Sequence, residues 1–266
     1  MNLHDLLLDK PIDGFWFRFL LFFSFVVHFF FVLLVLGTAI IGVTWLVREK
    51  EGEKGAGRGR VNILKSFFVY KSLAVVFGVA PLLLMQVVNA IPFITATSLF
   101  APYWMLIIVL LIGAFLMIEF LGEKKEVSRP TAFIVGSIGL AMLLAVPATF
   151  AAILVTAENP GEWAPIFRSG GKLTPEISLH WLVRFLHVLG AAIVFGAAWC
   201  YFQTDQEDKR RRRELVRWIL GGLVFQFVVG VALYGTLTRP PRILINTVIV
   251  FGVLASVLLI LYIFTT

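Results

Sequence analysis

The sequence predicts an all-α fold: a polytopic membrane helical bundle of seven transmembrane helices, with its N-terminus outside and its C-terminus cytoplasmic. Three observations carry this expectation. Of the 266 residues, 59% are hydrophobic and only 15% are charged, a balance far from that of a soluble domain. Seven runs have about the length and apolarity of a bilayer-crossing helix, roughly 20 residues. The loops between those runs alternate in charge.

The runs are 15–47, 66–91, 103–121, 131–156, 179–202, 215–237 and 243–264, and they form a single transmembrane domain over 1–266. The first is too long for one perpendicular crossing, so its start, 15-FWFRFLLFF-23, is expected at the interface before the helix descends. The second contains Pro81, a candidate kink. A neutral turn is expected near 92-PFITATSLFAP-102. The Pro-, Gly- and Trp-containing segment 157-AENPGEWAPIFRSGGKLTPEIS-178 reads as the longest external connection, an ordered loop or short interfacial helix offering a docking surface. The opening 1-MNLHDLLLDKPIDG-14 has no basic start and carries three aspartates, unlike a signal peptide.

Charge sets the orientation. Loops 48–65, 122–130 and 203–214 hold fourteen Lys/Arg, against four in 157–178 and 238–242. The first set is therefore expected in the cytoplasm. The net charge of +7 is a topology signal in such a chain, and no nucleic-acid partner is read from it. Arg210 to Arg213 read as an anchor near anionic lipid. The lone cysteine, Cys200, excludes an intrachain disulfide, a Cys-X-X-Cys metal site and a c-type haem attachment. It reads as a small apolar filler.

The informative residues are polar groups inside the runs. His4 falls in the external tail, whereas His28, His180 and His187 fall in apolar runs, where ionisable groups are expensive and mark sites or pathways. His180 and His187 are seven residues apart, on one helix face and separated by about 10 Å. Arg184 lies between them and is expected on that same face. Imidazole is a common haem ligand, and a guanidinium pairs with a haem propionate. The competing reading has His187 bonding a carbonyl and Arg184 snorkelling outward. Phenylalanines crowd His28, which suits a porphyrin wall and equally suits lipid contact. Gln86 and Asn89 reach a similar depth on the second run.

At this point the chain resembles the N-terminal part of subunit I of the cytochrome bd quinol oxidases, over roughly residues 14–202. Arg18, His28, Leu36 and Gly37 stand at the spacing of that family's first helix. The stretch 78-GVAPLLLM-85 matches its second, and Arg184 with His187 its fifth. The resemblance implies a four-helix group followed by helices five to seven. It also implies that His28 and His187 are axial ligands to separate b-type haems, with Arg18 and Arg184 on propionates and Met85 and Gln86 near the cofactor. His180 is a further ligand candidate.

Departures limit what carries over. Gln86 stands where the family has Glu, 103–118 holds no acid, a short 238-TRPPR-242 replaces a long quinol-binding loop, and the family's later Met and Glu ligands have no counterpart. The expectation is therefore an electron-transfer subunit, not an oxygen reductase by itself. It would hold one or two haem b groups, with quinone a further cofactor candidate, in a bacterial-type inner membrane. Its partners would be the lipid bilayer, quinol or quinone, and an external-side cytochrome or iron–sulfur protein. The alternative is a haem-free membrane anchor or assembly subunit.

Overall fold

The computed structural model describes residues 14–48, 56–123, 127–236 and 243–265. Every regular element among them is helical: α1 (Gly14–Arg48), α2 (Ala56–Val88), α3 (Ala90–Leu99), α4 (Ala101–Glu123), α5 (Arg129–Glu158), a 3-10 turn (Pro160–Glu162), α6 (Trp163–Arg168), α7 (Pro175–Gln203), α8 (Lys209–Gly235) and α9 (Ile243–Thr265). The seven apolar runs centre on seven different helices. Six of these (α1, α2 from Ser66, α4, α5, α7 and α8) are long and apolar enough, among the described residues, to cross a membrane. The outside of the bundle is apolar too. Val76, Met105, Ile108, Val109, Phe227 and Val231 are all exposed, which suits a lipid surround and not water.

Local chemistry sets the helix ends. Ser128 caps α5 by accepting from the Thr131 amide, with Pro130 in the first turn, and Asp208 caps α8 by accepting from the Arg211 amide at 3.1 Å. Such caps satisfy amides that have no partner within the helix. After α6 the chain reverses through Gly170 and Gly171, whose φ angles of 71° and 86° suit glycine alone among common residues.

Helix α1 is the central post. It packs on α2, α5 and α7, and the buried part of its surface runs from Leu33 to Leu46. One side joins α2, α4 and α5 in a four-helix group, and the other meets α7, which pairs with α8. The α1–α7 crossing is a glycine seam. A Cβ on Gly37 would lie 2.0 Å from the Ala192 carbonyl oxygen, and one on Gly196 would lie 2.4 Å from the Gly37 carbonyl carbon. Small residues that let two backbones meet replace the hydrophobic effect as the packing determinant in lipid. Beside the seam, the Trp199 indole and the Gln203 amide both donate to the Tyr70 hydroxyl, tying α7 to α2. α9 lies at the bundle edge against α8, and it also touches α7, where the Tyr262 and Phe202 rings are 5.7 Å apart.

Two charges are held inside the four-helix group. Lys71 of α2 pairs with Glu119 of α4, and both side chains are mostly buried. The ammonium sits 4.7 Å from the Phe68 ring centre and 5.5 Å from that of Phe115. Charge neutralisation by a partner and aromatic faces is what makes such a burial tolerable.

Several sequence expectations change. The 15–23 stretch is the first part of α1 itself, whose 35 residues span about 52 Å. The expected neutral turn is the helix α3, set off by short breaks at Asn89 and Phe100. The end of the 48–65 loop is already helical from Ala56, and α2 runs through Pro81 without interruption. The tail with His4 and the turn 238–242 lie outside the described residues.

Candidate functional site

The four-helix group holds a half-open apolar cavity of about 630 Å³ bounded by α1, α2, α4 and α5, with Arg184 and Val188 of α7 at its side. That volume is in the range of cofactor and small-molecule sites. Its walls are largely aromatic and aliphatic, including Phe29, Trp104, Phe115 and Phe150.

His28 lines this cavity. Its Nδ1 lies 2.8 Å from the Ala74 carbonyl oxygen. A carbonyl only accepts, so in the neutral ring Nδ1 carries the hydrogen and Nε2 keeps its lone pair. A backbone carbonyl holding one ring nitrogen is the arrangement that orients a metal-ligating imidazole. The ring rests on Gly78, where a Cβ would lie 2.8 Å from its Cε1. Gly78 is thus the residue that makes room for the histidine. Met85, two turns further along α2, lines the same cavity and receives the Asn89 amide on its sulfur at 3.2 Å. Gln86, the next residue, is exposed and turned away.

Arg184 stands at the far end of the cavity in a bidentate pair with Glu158, at 3.0 and 2.7 Å. Three- and four-residue spacing keeps it on the same side of α7 as the two histidines, but its side chain reaches α5 while theirs meet α8. Trp181 holds α7 against α5 by donating to the Ala148 carbonyl at 2.9 Å. Arg18 is not brought to the cavity. It is exposed and lies ten residues before His28, about 15 Å along α1.

His180 and His187 belong to the α7–α8 seam. The Thr236 hydroxyl donates to the Leu233 carbonyl at 2.8 Å, so it accepts from His180 Nδ1 at 2.9 Å. His187 packs on Gly230, and its Nε2 is 3.0 Å from the Gln226 amide nitrogen. His180 Nε2, His187 Nδ1 and Gln226 Oε1 are buried with no hydrogen-bond partner among the described residues. Gly190 makes the space for Gln226, since a Cβ there would lie 2.5 Å from Oε1. Sequence reasoning passed over Gln226, although an amide inside the run 215–237 was the signal. Among the described residues, no three His, Cys, Asp or Glu side chains gather as a bare metal-ion site.

Fold and site together define a helical bundle of the membrane-spanning kind with a half-open apolar cavity, one oriented imidazole on its wall and one guanidinium–carboxylate pair at its end. The chain matches no protein-family model, no curated protein and no solved structure.

Proposed function

We propose that the chain is an integral-membrane b-type haem electron-transfer subunit of a larger respiratory redox complex, passing electrons between membrane quinol or quinone and an external-side partner. The observation that carries this reading is His28: an imidazole with Nδ1 tethered to a backbone carbonyl and Nε2 uncommitted, on an apolar cavity of cofactor size. The residues fit a haem. His28 would ligate the iron through Nε2, Gly78 makes room for the ring, and Arg184 at the cavity end would take a propionate in exchange for Glu158. A haem held there would supply one-electron transfer. A second haem on His187 would need α7 and α8 to part, because its ring packs on Gly230 and on the Gln226 amide; the nitrogens of His180 and His187 left unpartnered among the described residues suit a proton relay to quinone.

The test is the spectrum of the purified chain. A Soret band is expected, and His28→Ala is expected to lower the haem-to-protein ratio by about one haem per chain, while His187→Ala affects a separate signal. A colourless wild-type protein would replace this reading with the haem-free anchor.

The basic end of the bundle is assigned to the cytoplasm of a bacterial-type inner membrane, with seven crossings. Support comes from the Lys/Arg asymmetry of the loops. Single cysteines at Gly57 and Gly170, in a Cys200→Ala background, are then expected to react with an impermeant maleimide from opposite faces of the membrane. Labelling of both from one face would overturn the topology.

A further inference from the structure

At the basic end, a second cavity of about 780 Å³ opens between α1, α7 and α8. Its residues divide along its length. Arg48 of α1 and Arg210, Arg213 and Arg217 of α8 form one part, with Glu214 as the single carboxylate in the lining. Ile193, Trp218, Gly221, Gly222 and Phe225 form the other. On α8 the basic positions recur at three- and four-residue spacing, so they stack on one face, and Gly221 continues that face inward. From Arg210 to Phe225 the groove follows fifteen residues of helix, about 22 Å. That is enough for a headgroup and much of one leaflet's acyl chain.

Two electrostatic facts call for an anion here. Among the described lining residues, Arg48, Arg213 and Arg217 face one carboxylate, Glu214, whose contact with Arg48 is 3.9 Å. Arg210 and Arg213 also stand in the first two turns of α8, near the positive end of its macrodipole, where positive side chains are disfavoured and anions favoured. Guanidinium forks match phosphate oxygens in geometry. A free phosphate would satisfy the basic part alone and leave the apolar part unexplained.

We propose that this groove is a binding site for one anionic glycerophospholipid, with its phosphate on Arg213 and Arg217 and an acyl chain along Trp218, Gly221 and Phe225. The site stands apart from the cavity of His28 and holds whether or not the chain carries haem. Basic pockets between helices at the cytoplasmic face are a recurring form of lipid recognition.

The test is native mass spectrometry of the full chain in a mild detergent, titrated with phosphatidylglycerol, phosphatidylcholine or inorganic phosphate, with thermal stability measured in parallel. One retained phosphatidylglycerol per chain is expected, with phosphatidylcholine at least tenfold weaker. Arg213→Gln with Arg217→Gln is expected to weaken retention tenfold or more. Arg211→Gln with Arg212→Gln removes the same charge from the same helix end, but from side chains that lie over Trp45 and Tyr201, and is expected to stay within twofold. Gly221→Leu leaves the charge unchanged and enters open space, since a Cβ at Gly221 meets no atom within 4 Å. It is expected to reduce lipid retention by filling the groove. Equal losses in the two double variants would overturn the site in favour of diffuse surface charge. Retention unaffected by Gly221→Leu but displaced by millimolar phosphate would overturn the lipid in favour of a free anion.

Discussion

Gly196→Leu is expected to destabilise the bundle by more than about 4 kcal/mol, the range of exceptional single substitutions, and to leave little folded protein in detergent. The atoms a new Cβ would meet are Gly37 carbonyl carbon at 2.4 Å and Gly37 Cα at 2.5 Å. Both are backbone, so no rotamer change relieves the overlap, and α1 and α7 must separate. Separation unpacks Leu36, Ala39 and Ala192 at once, and in lipid nothing squeezes the helices back together. The control is Gly221→Leu, the same exchange in the same fold, at a position with open space around it. Thermal unfolding followed by size-exclusion recovery separates the two variants. Similar melting of both would show that the glycine seam does not hold the halves together.

Lys71→Ala is expected to cost about 3–5 kcal/mol, because it strands the Glu119 carboxylate among apolar neighbours. The ion pair itself is worth less than that loss implies, since much of the penalty belongs to the partner left behind. A double variant, Lys71→Met with Glu119→Leu, is therefore expected to recover most of the stability, giving a coupling energy of opposite sign to the single losses. The measurement is a double-mutant cycle on unfolding in mixed micelles. Strictly additive losses would mean that each residue acts through a separate contact.

The positions of the long helices were legible because crossing a bilayer demands a run of apolar residues whatever its neighbours are. Their facing was not. In water the buried part of a helix differs chemically from the wet part, but here the buried second half of α1 (Leu33, Leu34, Leu36) and its exposed first half (Phe19, Phe22, Phe23) are equally apolar, so periodicity carries little information. That is why the reach of Arg184 to Glu158 was not foreseen; Arg18 was expected at the site only through the family resemblance, and it does not reach it. α3 was hidden by the prolines at 92 and 102, which read as turn punctuation although Pro92 fits the first turns of a helix. The pairing of His28 with Gly78 joins two stretches fifty residues apart, and Lys71 with Glu119 joins two others. Both are contacts of the fold and cannot be read from either stretch alone. What the sequence did convey was that His28 falls in an apolar run long enough to cross a bilayer.

The seam between Gly37 and Gly196 also sets a clock on biosynthesis. The two glycines are 159 positions apart in the chain, and a ribosome adds about 5–20 residues per second. The grooved side of α1 therefore waits on the order of 10–30 s in the bilayer before α7 emerges to cover it. During that interval any other small-residue helix in the membrane competes for the same surface. Insertion of α7 is thus the committing event of assembly, and a chain truncated before it exposes to the cell's quality control a helix whose natural neighbour has never arrived.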